Sequence, residues 1–65
     1  LKFYVAVAEI AARTLSPQGF GIVEINEALG PETEQVFRNV GFSRTAVLKD
    51  LSDRDRFVCF SGLLG

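Results

Sequence analysis

The chain contains no histidine and a single cysteine, Cys59. One cysteine excludes a disulfide framework within the chain, and without histidine as a co-ligand it excludes a Cys/His zinc site as well. This usage predicts a reducing, cytoplasmic setting. An excess of either charge is missing too: seven basic and eight acidic residues give a formal net charge of −1. That balance argues against direct contact with nucleic acid or an anionic membrane, both of which call for a basic footprint. No apolar run approaches the roughly 18 residues a membrane span needs, and the first residues lack the basic, apolar and small-residue regions of a signal peptide. Length sets a further bound, because 65 residues allow one small domain and no large enzyme core. A single core of this size rarely supplies more than roughly 3 to 5 kcal/mol without a disulfide, a metal or a partner.

What is present reads as alternating helix and strand. The chain opens on Leu1, already inside a helical pattern with no capping residue ahead of it. Over Leu1 to Leu15 the polar residues Lys2, Glu9 and Arg13 fall within an arc of about 40°, and Phe3, Tyr4, Val5, Val7, Ile10 and Leu15 take the rest of the circumference. So narrow a polar stripe predicts a helix buried on several sides. It also predicts that residues 1–65 are a piece of a longer domain. Pro17 and Gly19 end the helix.

"GFGIVEI", Gly19 to Ile25, is apolar on both alternating sets apart from Glu24, the pattern of a central strand covered on both faces. "GPETEQVFRNVG" then carries Pro31 at a first helical position, Glu32 and Glu34 near the positive end of the dipole, Arg38 near the negative end and Gly41 as terminator. Its buried stripe is Val36, Phe37 and Val40, with Leu29 and Phe42 at the ends. "SRTAVLKDL" and "RFVCFSG" read as two further strands separated by Ser52 to Asp55. So short a link allows only an antiparallel hairpin, whereas the first two strands, parallel and joined through a helix, need a right-handed crossover. Asp53, Arg54, Asp55 and Arg56 keep the hairpin turn in water. Because Phe57 to Phe60 is apolar on both faces, the last strand is expected in the middle, with Arg56 to Ser61 between Phe20 to Ile25 and Arg44 to Leu51. Both helices are expected on one face of the sheet, leaving a contiguous apolar patch on the other.

An α/β sheet that ends in a reversed, inserted strand resembles the end of the Rossmann-like fold of class I S-adenosylmethionine-dependent methyltransferases. The chain further resembles the C-terminal third of the HemK/PrmC family of protein-glutamine methyltransferases, which modify peptide chain release factors. Four anchors carry the likeness in order: "LKFY" in the first helix, "EIN" closing the first strand, "NVGF" ending the second helix, and "DLSDRDR" at the hairpin. Departures fall at Val5, Gln18, Asn26 and Asp53, the last standing where a turn glycine is frequent. The resemblance implies S-adenosylmethionine as cofactor and a release factor as partner for the intact parent. The family's glycine-rich cofactor loop and its "NPPY" motif are not among these residues. The fragment alone is therefore expected to be inactive, with no catalytic, cofactor-binding or metal-binding residue of its own.

Ligands of open α/β sheets lie beyond the carboxyl ends of the parallel strands, so Glu24, Asn26 and Glu27 are candidates for a substrate-side wall. The alternative is that Glu24 pairs with a partner or cap and Asn26 makes the turn. Asp55 and Arg56 are expected in a solvated turn or an ion pair, Cys59 as a packed thiol, and Phe3 and Tyr4 in the core. "GFG" at Gly19 to Gly21 precedes a strand, so it reads as a turn and not a nucleotide loop. Two other functions stay open. One is a stand-alone small α/β module that dimerises through its exposed sheet face; the other is the tail of another amino-group methyltransferase.

Overall fold

The computed structural model describes residues 1–63. Helix α1 (Lys2–Thr14) leads to strand β1 (Phe20–Glu24), a 3-10 turn (Glu27–Leu29), helix α2 (Gly30–Val40) and strands β2 (Phe42–Lys49) and β3 (Asp55–Leu63). The three strands form one sheet in the order β1-β3-β2, with β3 antiparallel to both neighbours. β1 and β2 consequently run parallel to one another, and α2 forms the crossover between them.

Local chemistry explains the limits of α2. Pro31 sits in its first turn, where its missing N–H costs nothing, and Glu32 faces the positive end of the dipole. At the other end Gly41 takes a φ of 126°, and its N–H returns to the carbonyls of Phe37 and Arg38.

Register decides which residues share a face. Val23, Val58 and Val47 lie in one row across the sheet, and Gly21, Phe60 and Thr45 in the next, all toward the helices. Phe60 stacks on Phe37 of α2 with ring centroids 4.1 Å apart, and Phe42 meets Phe60 edge-on at 4.9 Å. These three rings, with Ala8, Ile25 and Val58, form the buried core, against which Val7, Ala11 and Leu15 of α1 and Val36 and Val40 of α2 pack. Both helices therefore cover the same face. The other face carries Ile22, Cys59 and Ala46 in one row, and Phe57 and Leu48 in another, with nothing over them among the described residues. Phe20 and Ile22 there remain 74% and 53% exposed.

Three expectations need correction. Among the described residues β1 is an edge strand, paired with β3 alone, because "GFGIVEI" reports apolar side chains on both faces but not which strand lies alongside. α1 is buried on one side only: Ala8 is enclosed, while Leu1, Val5 and Ile10 are exposed. Phe3 lies outside the core at 70% exposure, edge-on to Tyr4.

Thr33 of α2 is fully buried, and its Oγ1 has no hydrogen-bond partner. A buried hydroxyl without a partner loses its hydration for nothing in return. Thr33→Val keeps the shape and removes that loss, and is expected to stabilise the fold by about 1 kcal/mol. A urea midpoint that moves down instead of up would contradict this.

Candidate functional site

The carboxyl ends of β1 and β2 and the amino end of β3 meet at one end of the sheet, where the charged hairpin turn stands beside the loop after β1. That loop is built locally. Asn26 caps the 3-10 turn: its Oδ1 accepts from the Ala28 N–H at 2.9 Å, and its carbonyl accepts from the Leu29 N–H at 2.9 Å. The Tyr4 hydroxyl donates to the Glu24 carbonyl at 2.7 Å, which brings the start of α1 to the same end. The Glu24 residue itself is exposed, on the uncovered face in register with Phe57 and Leu48. Glu27 is exposed and forms an ion pair with Arg54 at 3.8 Å.

Asp50 organises the hairpin. Its Oδ1 accepts from the N–H groups of Ser52 at 2.8 Å and Arg54 at 3.1 Å, and its Oδ2 meets the Arg56 guanidinium at 3.2 Å. The tip turns through Asp53 at a φ of 63°, which explains why a glycine would be at home there. Lys49 donates to Asp55 at 2.9 Å. Both residues expected in a solvated turn or an ion pair, Asp55 and Arg56, are thus in ion pairs. One irregularity in register follows: Leu48 pairs with Phe57 but Lys49 pairs with Asp55, so Arg56 is the extra residue of a β-bulge.

The hydrogen bond from the Arg54 N–H, more than any other contact, holds the Asp50 carboxyl below the usual aspartate range, with Ser52 and Arg56 adding to it against partial desolvation. A depressed carboxyl contributes stability that is complete above its unfolded pKa of about 3.9 and is lost as pH falls through the lower folded value. Lys49 moves the other way, raised chiefly by its hydrogen bond to Asp55. Its contribution is complete below about 10.4 and is lost as pH rises through the higher folded value. Asp50 is therefore expected to titrate below ordinary aspartate in a carboxyl NMR titration, with melting temperature falling in the same acid range. An Asp50 midpoint at or above 3.9 would contradict this account.

Chemistry is sparse elsewhere. An open groove of about 320 Å³ runs between α1 and β1, lined mainly by apolar residues including Val7, Ile10, Ala11, Leu15, Gly21 and Phe60. Cys59 is half-buried on the uncovered face, flanked in register by Ile22 and Ala46. Among the described residues no group of three or more His, Cys, Asp or Glu side chains converges to hold a metal ion, and no helix is long and apolar enough to cross a membrane.

Sequence reasoning brought Glu24, Asn26 and Glu27 to this end of the sheet but missed Asp50 and the Arg54–Glu27 pair. The signal for Asp50 was available, since Asp-x-Ser at the head of a turn is the pattern by which an aspartate carboxyl collects the backbone N–H groups that follow it.

The structure defines a small α/β unit with two helices on one face of a three-stranded sheet. No protein-family model matches it, and no solved structure does. Among curated proteins it is similar to the release factor glutamine methyltransferase of Flavobacterium psychrophilum, with 38% identity over 58 residues. The match covers 89% of this chain and 20% of that protein, so the chain spans about a fifth of its relative's length.

Proposed function

We propose that this chain is the C-terminal segment of an S-adenosylmethionine-dependent methyltransferase of the HemK/PrmC family, whose intact form methylates a glutamine side chain of a peptide chain release factor. The observation that carries the reading is the 38% identity to a release factor glutamine methyltransferase over nearly the whole chain. Two features support it. The last strand is reversed and lies between two parallel ones, as in the final part of a Rossmann-like methyltransferase sheet. The aspartate at a φ of 63° occupies the hairpin position where the family often has glycine.

The cofactor does not fit the residues present. Gly19 to Gly21 leads from the end of α1 into β1 instead of opening a helix, and the space beside Gly21 is filled by the Phe60 ring. This segment's part in the intact enzyme is to complete the sheet and shape the surface beyond the carboxyl end of β1, with Glu24, Asn26 and Glu27 as the wall facing the acceptor. In such an enzyme the weakly nucleophilic amide depends on being held in place, so a wall that orients the acceptor contributes to rate.

Substituting these residues for the matched 58 of the Flavobacterium enzyme tests the reading. Glutamine methylation of a release factor is expected to persist. A chimera that fails to fold, or folds without activity, counts against it.

A second reading, a stand-alone module that dimerises through its sheet, is favoured by the exposed Phe20, Ile22 and Leu48. It requires a concentration-dependent dimer in sedimentation that Ile22→Lys abolishes.

A further inference from the structure

We propose that Arg54 and Asp55 are positioning residues: they hold the loop from Asn26 to Gly30 against the start of β3 and so fix the surface that Asn26 and Glu27 present beyond β1. The functional half of this inference rests on the reading given above; the structural half does not.

Beyond its own cap, the loop is held to the hairpin by three contacts. The Ile25 N–H donates to the carbonyl of Arg56 at 2.8 Å, which fastens the loop's beginning. Arg54 meets Glu27 at 3.8 Å, which fastens its middle. At its end, buried Gly30 lies directly against Asp55. A Cβ on Gly30 would stand 2.5 Å from Asp55 Oδ2 and 3.2 Å from its Cγ. Gly30 has a helical φ of −54°, so alanine would suit its backbone, and only the closeness of Asp55 argues for glycine there.

The hairpin is stiff enough to serve as the anchor. Asp50 fixes the backbone at Arg54 and the guanidinium of Arg56. Lys49 fixes the Asp55 carboxylate. The bulge at Arg56 lets the hairpin do two jobs, since that residue's side chain turns back to Asp50 while its carbonyl reaches Ile25, just past the end of β1. Glu27, already paired with Arg54, contributes shape to the wall more than free negative charge.

Amide hydrogen exchange on this chain tests the tether. Ala28 and Leu29 report on the loop, and Val58 and Phe60 report on the core. Arg54→Ala and Asp55→Ala are each expected to speed exchange at Ala28 and Leu29 about two- to fivefold, leaving Val58 and Phe60 unchanged. Gly30→Ala is expected to do the same alone but to add little beside Asp55→Ala, because the obstructing carboxylate is then gone. Loop amides that do not respond, or that respond only in step with the core, overturn the proposal.

The chimeric enzyme described above tests the consequence. Arg54→Ala and Asp55→Ala are expected to raise KM for the release factor severalfold while KM for S-adenosylmethionine stays the same, and Arg54→Lys is expected to restore most of the loss. If the unmutated chimera is inactive, the functional reading fails and the exchange result still decides the tether. An active chimera whose acceptor KM ignores both variants overturns the positioning role.

Discussion

Phe37→Ala is expected to leave the chain largely unfolded at room temperature. Phe37 is fully enclosed, stacked on Phe60 and in contact with Phe42, so it joins α2 to both β2 and β3. Truncating a buried phenylalanine typically costs about 3 to 5 kcal/mol, because the transfer free energy of the ring is lost and the cavity closes only in part. A core of this size holds roughly the same amount in total. The loss of near-ultraviolet circular dichroism and of dispersed amide resonances would show the result. Phe37→Leu, which keeps much of the volume, should remain folded with a lower urea midpoint. A folded alanine variant of near-normal stability would mean that the core lies elsewhere.

Gly21→Val is the second large effect. A Cβ built at Gly21 would press against the tip of the Phe60 ring, overlapping Cζ and Cε2. Phe60 cannot swing aside, since Phe37 stacks on it and Phe42 packs against its edge. Valine is otherwise a better strand residue than glycine by roughly 0.5 to 1 kcal/mol, so the backbone gain and the overlap oppose each other. The overlap wins, because forcing extra methyl groups into a packed core costs about 1 to 3 kcal/mol or more, and here they displace the central ring. Net destabilisation is expected in chemical denaturation, larger for valine than for alanine. Stabilisation by either would show that the ring has room to move.

How much of this was legible depended on whether the cause lay close in sequence. The ends of α2 follow from Pro31 and Gly41, each acting on its own backbone, and the sequence pattern anticipated both. The inward stripe of Val36, Phe37 and Val40 follows from helical spacing alone. The uncovered sheet face followed from the right-handed crossovers, which bring both helices to the same side. The edge position of β1 did not follow from its own residues, because alternation along a strand describes what its side chains touch and says nothing about its neighbours. Phe3 was misplaced for a related reason: an aromatic residue in an apolar run reads as core whether or not the chain supplies a surface to meet it. Thr33 was hidden because a polar residue in a helical stripe reads as solvated. In the site, Asn26 and Asp50 carry their own local signals, whereas the Arg54–Glu27 pair and the fit of Gly30 against Asp55 join segments far apart in the chain. No periodicity encodes such contacts.

The position of β3 also orders events in time. Its two neighbours are synthesised before it and share no pairing with each other, so both sets of inward-facing hydrogen-bonding groups stay open to water until Asp55 to Leu63 leave the ribosome. The sheet is completed by one late strand, whose two edges pair with β1 and β2.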